Sequence, residues 1–288
     1  MQQLAEGIYA EINYEGVNVG AIMTPRGIIC IDAPSYPRDA RHWAMRLRQI
    51  NAAPVQYLII LDDNGDRLLN TRWLNAKIVT HDVTRATLLG YEKRYPQGLL
   101  DSLAQRNPLA GKELSSSPVD RPDVTFSHRL SILKHLYEID LIHAPGPSAG
   151  SIWAHLPRQG ILFMGDSLTI GEMPPLLNAD LDAWLDSLDY LQNELNDVQL
   201  IVPGRGPLGD MSHVEAMRCA LTQVQEKLSA FTKGGATAQE TVDAISAIYG
   251  ASQPYHEWHR QQLQQLLDRR AAQAKSEAKE ARDAAVES

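Results

Sequence analysis

The 288-residue chain has only two cysteines, three phenylalanines and 27 Lys plus Arg against 35 Asp plus Glu. The shortage of basic charge leaves a formal net charge of −8. That excludes a general nucleic-acid binder, because attraction to phosphate needs a basic face, but it allows a small anionic ligand in a local basic pocket. No run approaches the ~20 apolar residues of a bilayer span, so no membrane helix is expected. Met1-Gln2-Gln3-Leu4-Ala5-Glu6 has neither a basic start nor an apolar stretch, which predicts no signal peptide and a cytoplasmic location. Cys30 lies in a strand-like run and Cys219 in a helix-like run, and both are expected as buried thiols rather than a disulfide. No Gly-x-Ser-x-Gly is present, and Ser148, Ser151 and Ser167 have no adjacent base, which argues against a serine nucleophile. Hydrophobic residues at 44% and charged residues at 22% are an ordinary globular balance, with length for a sizeable core.

What is present is an alternation of strand and helix. Gly7 to Ile12, Val17 to Met23 and Ile28 to Asp32 read as hairpin-like strands, with a turn at Thr24-Pro25-Arg26-Gly27. Pro37 opens a helix to about Asn51, with Trp43, Leu47 and Ile50 at helical spacing. Val55 to Leu61 is a strand, Leu68 to Leu74 a short helix, Lys77 to Thr80 a strand, and Arg85 to Lys112 mostly helical. A Ser- and Pro-rich loop over Glu113 to Pro122 leads to strands at Val124 to Phe126, Leu130 to Leu133, His135 to Ile142, Ser151 to Leu156 and Gly160 to Met164. Asp180 is placed to N-cap a helix to about Asn196, and Val198 to Val202 is the last strand. From Met211 the chain reads as helical, broken at Gly234-Gly235 and near Gly250 to Pro254. In the first of these helices Leu221, Val224, Leu228 and Phe231 form a core-facing stripe. The expected organisation is a domain over 1–210, helices over 211–268 packed on it, and a frayed helix or disordered tail over 269–288.

The densest chemistry lies in Leu61-Asp62-Asp63-Asn64-Gly65-Asp66-Arg67, where an apolar strand empties into a carboxylate-rich loop. The run Asp-x-Asn-x-Asp invites comparison with a calcium loop. An EF-hand needs Gly at its sixth position and Glu at its twelfth, and here these are Arg67 and Trp73.

Five landmarks then fall in order: Asp32 ending an early strand, the acidic loop, Pro145-Gly146 with Gly150-Ser151, Gly165-Asp166, and Pro203-Gly204-Arg205-Gly206-Pro207. Over roughly residues 5 to 245 this order resembles the metallo-β-lactamase-fold superfamily, which includes glyoxalase II-like thioesterases, lactonases and other hydrolases. The resemblance implies an α/β fold, a metallo-β-lactamase-like αβ/βα four-layer sandwich, here with extra C-terminal helices. It also implies metals held by loops at one edge of the sheets. The family's His-x-His-x-Asp-His falls on Asp62, Asn64, Asp66 and Arg67, so Asp66 alone matches. The histidine of Pro-Gly-His-x-x-Gly-Ser falls on Pro147, the bridging aspartate on Asp166, and the last histidine on Arg205. The histidine positions are lost and both aspartates remain.

Zinc in such a site needs neutral imidazoles, whereas Pro147 offers no ligand and arginine stays protonated. Unit charges ~4 Å apart at an effective dielectric near 20 interact by about 4 kcal/mol, so two guanidiniums beside a dication repel it strongly. Metal-activated hydroxide is lost with the metal. Asp66 and Asp166 then need other positive partners, and a salt bridge from Arg67 or Arg205 is expected. Among the histidines, His81 and His143 are placed near the cleft and the pair His256 and His259 on a helix, with packing or solvated roles expected.

Three functional readings follow. The favoured one is a protein without the dinuclear zinc site or any other cofactor. It is non-catalytic and binds a ligand or partner in a pocket of Asp62, Asn64, Asp66, Arg67, Pro147, Asp166 and Arg205. The second is an atypical hydrolase with one divalent metal such as magnesium, manganese or iron on the oxygens of Asp62, Asn64, Asp66 and Asp166. The third is a structural or regulatory subunit, with partner contact or homo-oligomer formation through the C-terminal helices.

Overall fold

The structure is a computed structural model that describes residues 1–91, 93–114, 119–250 and 253–286, with side chains as far as residue 276. Its first sheet begins with β1 (Gln2–Ala5), β2 (Ile8–Glu11), β3 (Val19–Thr24) and β4 (Gly27–Ile31), all antiparallel neighbours. Strand β1, which lacks the apolar alternation of its partners, is absent from the sequence reading. Helix α1 (Pro37–Ile50) follows, with Pro37 in its first turn. It buries Ala40, Trp43 and Leu47 at helical spacing, while Ile50 is exposed.

Next come β5 (Val55–Ile59), the single-turn α2 (Gly65–Leu68) and, after a 3-10 turn at Thr71–Leu74, β6 (Lys77–His81). Helices α3 (Asp82–Gly90), α4 (Gln97–Arg106) and α5 (Pro108–Gly111) lead to β7 (Val124–Phe126). From β4 to β7 each strand pairs in parallel with the next, which completes a seven-stranded sheet in sequence order. The Ser/Pro loop expected before β7 includes residues 115–118, which lie outside the described residues.

The second sheet contains β8 (Arg129–Lys134), β9 (Tyr137–His143), β10 (Ile152–Leu156) and β11 (Ile161–Thr169) as an antiparallel meander. The expected strand start at His135 is corrected: His135 has φ +56 and makes the hairpin turn before Tyr137. Helix α6 (Leu181–Glu194) is N-capped by Asp180, whose side chain accepts from the Ala183 N–H. It connects to β12 (Leu200–Arg205), which pairs in parallel with β11 at the sheet edge.

Three further helices close the chain: α7 (Met211–Thr232), α8 (Ala238–Tyr249) and α9 (His256–Val286). The segment expected as a frayed helix or disordered tail is helical as far as Val286, and Glu287 and Ser288 lie outside the described residues. So do residues 251 and 252, at the second expected helix break.

The core explains the layering. Between the sheets, Ile8, Ile22, Ile29, Leu141, Leu156 and Phe163 interdigitate. Outside the first sheet, Trp43, Leu47, Leu58 and Leu100 pack beneath α1 and α4. Outside the second, Trp153, Trp184, Leu221, Val224, Leu228 and Leu267 join α6, α7, α8 and α9 to the sheet. Each large apolar side chain buried this fully contributes about 1.5–3 kcal/mol against exposure. Strands covered on both faces are apolar throughout, which is why β4 reads Gly27-Ile-Ile-Cys-Ile with no polar residue. Cys30 is buried there, but Cys219 is exposed, because the core-facing stripe of α7 runs through Met217 and Leu221 and leaves it on the solvent side. Among the described residues no helix is long and apolar enough to cross a membrane.

Candidate functional site

The C-terminal ends of β4, β5, β11 and β12 converge at one edge of the sandwich, where loops can hold polar groups that the sheets cannot. Asp32, just past β4, has φ +56, and its Oδ1 accepts from the Leu61 N–H at 2.9 Å. Asp62, past β5, accepts from the Asn64 N–H at 2.7 Å. Gly165 in β11 has φ +56, and the pairing with β12 shifts register there, which lets Asp166 turn toward the edge. At Gly204 there is no room for a side chain, because a Cβ would meet Asp166 Oδ1 and the Gly165 backbone.

Arg67 is the centre of this edge. It rises from α2, is fully buried, and turns each side-chain nitrogen to a different carboxylate. Nη1 donates a short hydrogen bond to Asp32 Oδ2. Nε lies 3.1 Å from Asp62 Oδ1, and Nη2 lies 2.8 Å from Asp166 Oδ1. The last two are ionic contacts without the alignment of a hydrogen bond.

Arg205, at the end of β12, shares Asp166 with Arg67 and adds Asp66 on the cavity side. Its Nη2 donates to Asp66 Oδ2 at 2.7 Å and to Asp166 Oδ2 at 3.3 Å, and Nε lies 3.2 Å from Asp166 Oδ1. Asn64 Nδ2 adds a bond to Asp166 Oδ2 at 3.1 Å. The expected arginine–aspartate salt bridge is therefore made by Arg67 and by Arg205.

The ion pairs continue into residues that the sequence reading did not select. Arg106, closing α4, lies 3.4 Å from Asp66 Oδ2 and 2.7 Å from Glu172 Oε1. Its guanidinium stacks on Tyr255 at 4.3 Å and on Trp258 at 5.4 Å. His259 approaches Glu172 at 3.4 Å, so this buried histidine packs within the network. Asp32, Arg106 and Glu172 come from separate parts of the chain. Of these, the sequence signalled Asp32 alone, as a polar residue ending an apolar strand.

Burial and charge act in opposite directions on these groups. Burial pushes Asp62 well above the usual carboxylate range, with Arg67 opposing. Burial likewise raises Asp32 to about 6 against Arg67 and the Leu61 N–H. For Asp166 burial also acts upward, but Arg205 and Arg67 outweigh it and hold the carboxyl well below its usual range. Burial disfavours the charged form of Arg67, yet Asp166, Asp32 and Asp62 together raise it.

Above this layer opens a cavity of about 430 Å³, walled by α4, α9 and the loop near Asn178. Asn64, Asp66 and Arg205 line it. Asp62, Arg67, Pro147 and Asp166 are buried and are not among its lining residues. His81 and His143 do not line it either. Their rings stack at 3.9 Å, with His81 bonded to Ser127 O at 2.7 Å and His143 to Ala149 O at 3.0 Å. Among the described residues, no group of three or more His, Cys, Asp or Glu is arranged to hold a metal ion.

No protein-family model matches the sequence. Solved structures do match its fold. A metallo-β-lactamase from Pontibacter korlensis superposes with a TM-score of 0.62 at 18% identity, covering 77% of this chain and 97% of its own. The DIM-1 metallo-β-lactamase matches with a TM-score of 0.59 at 16% identity, covering 77% of this chain and 95% of its own. The same enzyme exposed to ceftazidime matches with a TM-score of 0.58, also at 16% identity, over the same shares of the two chains. Two facing mixed sheets with helices outside, matched over nearly the whole length of these proteins, give this chain the metallo-β-lactamase fold.

Proposed function

We propose that this chain is a non-catalytic binding protein on the metallo-β-lactamase fold, in which guanidinium groups replace the dinuclear metal centre and the cavity above them takes a small ligand. The observation that carries the reading is Arg67, fully buried, with Nη1, Nε and Nη2 directed to Asp32, Asp62 and Asp166. The residues present do not fit a pair of divalent ions. Asp66 and Asp166 are already neutralised by Arg205 and Arg67, and an added dication ~4 Å from a guanidinium would be repelled by about 8 kcal/mol at an effective dielectric near 20. Arginine has no lone pair to offer a metal.

The same geometry weighs against a single metal on Asp62, Asn64, Asp66 and Asp166, since Arg67 lies 3.1 Å from Asp62 Oδ1 and Arg205 holds Asp66 and Asp166. A cytoplasmic setting belongs to this reading and is supported by the free thiols of Cys30 and Cys219.

Metal content tests the proposal. Protein purified without chelator or metal-binding tag is expected to hold less than about a tenth of an equivalent of any transition metal by plasma mass spectrometry, before and after incubation with zinc or manganese. Near-stoichiometric uptake that is lost in Asp166→Asn would overturn it and restore the metal-dependent hydrolase as the better reading.

A further inference from the structure

We infer that the cavity takes a short peptide with free termini, held between facing polar stripes of α4 and α9; this rests on the cavity being the ligand site proposed above. Along α9, Trp258, Gln262, Gln265 and Arg269 all line the cavity, at spacings that place them on one helical face. The opposite face of the same helix buries Leu263, Leu266 and Leu267 in the core. Across the gap, Asp101, Ser102 and Gln105 line the wall made by α4. Trp258 ties the two helices together, with its Nε1 donating to Ser102 O at 3.1 Å. The two polar stripes therefore face each other across the cavity.

The chemistry of the lining selects among ligands. Gln105, Asn178, Gln262 and Gln265 are primary amides, each with a donor and an acceptor in the pattern of a peptide group. At the floor Asp66 accepts from Arg205 Nη2 at 2.7 Å and from Arg106 Nη1 at 3.4 Å, while Arg205 Nη1 is buried without a hydrogen-bond partner and is left for an acceptor oxygen of the ligand. On the rim, charges of both signs lack an ionic partner among the described residues. Arg269 Nη1 donates to the neutral Asn178 Oδ1 at 3.1 Å. Asp63 accepts from Thr87 at 2.9 Å and Asp101 from Gln97 at 2.8 Å, both neutral donors.

A simple anion would meet Asp63 and Asp101 as well as Arg205 and Arg269, and a neutral sugar would hydrogen-bond to these groups but neutralise none of them. A zwitterion answers both signs, its carboxylate at Arg269 and its ammonium at Asp63 or Asp101. From Gln262 to Arg269 the helix rises by about 10 Å, and an extended peptide covers ~3.3–3.6 Å per residue, so about three residues run along that stretch of α9.

Titration calorimetry on the full chain tests this, with tri-alanine, tri-alanine amide, N-acetyl-tri-alanine amide, maltotriose and citrate as probes. Tri-alanine is expected to bind, and the doubly blocked peptide to bind at least about tenfold more weakly for loss of its terminal charges. Arg269→Gln, at an exposed position, is expected to weaken tri-alanine by about tenfold while leaving tri-alanine amide unchanged. Equal affinity for the blocked peptide, binding of maltotriose or citrate in place of tri-alanine, or no binding of any probe at millimolar concentration would each overturn the inference. None of these outcomes alters metal content, which decides the underlying reading separately.

Discussion

Arg67→Met removes the positive centre of the buried edge while keeping a side chain of similar reach. In the native protein Arg67 is fully buried among Asp32, Asp62 and Asp166, which are themselves buried to 1% exposure or less. Deleting one partner of a buried ion pair costs about 3–5 kcal/mol, a large part of the roughly 5–15 kcal/mol that holds a typical domain folded. The cost arises because the remaining carboxylates must take up protons or stay charged in a low dielectric. Arg67 acts downward on both Asp32 and Asp62, so its loss raises their folded-state pKa values further. A raised carboxylate stabilises the fold below its unfolded pKa, and that stability is lost as pH rises through the folded value. The penalty is therefore larger at pH 7.5 than at pH 5, by about 1.4 kcal/mol per pH unit for each proton that the folded state alone must bind. Urea unfolding followed by tryptophan fluorescence at the two pH values reads this directly. If Arg67→Met does not accumulate folded, adding Asp32→Asn is expected to restore part of the loss, because asparagine can still accept from the Leu61 N–H without a charge. A variant within about 1 kcal/mol of the native protein at pH 7.5, with no difference at pH 5, would refute this account of the edge.

The native protein has its own pH signature. Burial raises Asp32 to about 6 from the 3.8 of an unfolded carboxyl, so its contribution to stability is lost as pH rises between those values. Asp32→Asn is expected to flatten the stability profile over that window, as read from urea midpoints. Native Cys219 is expected to react with a disulfide reagent, slowly because its bond to Glu215 raises the thiol, while Cys30 reacts only on unfolding; equal native reactivity would contradict the burial of β4. Leu267→Ala, on the buried face of α9, is expected to cost about 2–5 kcal/mol in thermal or urea unfolding. A change under about 0.5 kcal/mol would show that α9 is not packed on α7 and α8.

Much of the fold was legible because the chain repeats local rules. Val55 to Ile59 is an apolar run between Pro54 and an acidic loop, Asp180 caps α6, and Gly234-Gly235 separates α7 from α8. These features act within a few residues, so sequence position is enough to read them. The pairing of Arg67 or Arg205 with Asp66 or Asp166 was also legible, since buried carboxylates without a metal demand cations and these arginines stand where ligands would. Cys219 was misplaced because an apolar helical run does not say which residue falls off its buried stripe.

What the sequence alone determined is therefore the strand–helix alternation, the absence of imidazole at one strand edge, and the retention of its carboxylates. Only the tertiary structure decided that Asp32 and Asp62 share Arg67, that Arg106 and Glu172 extend the network, and that α9 walls a cavity against α4. Those contacts join residues distant along the chain, and their energies depend on burial and mutual distance. Neither quantity exists until the sheets have packed and the C-terminal helices have closed over their edge.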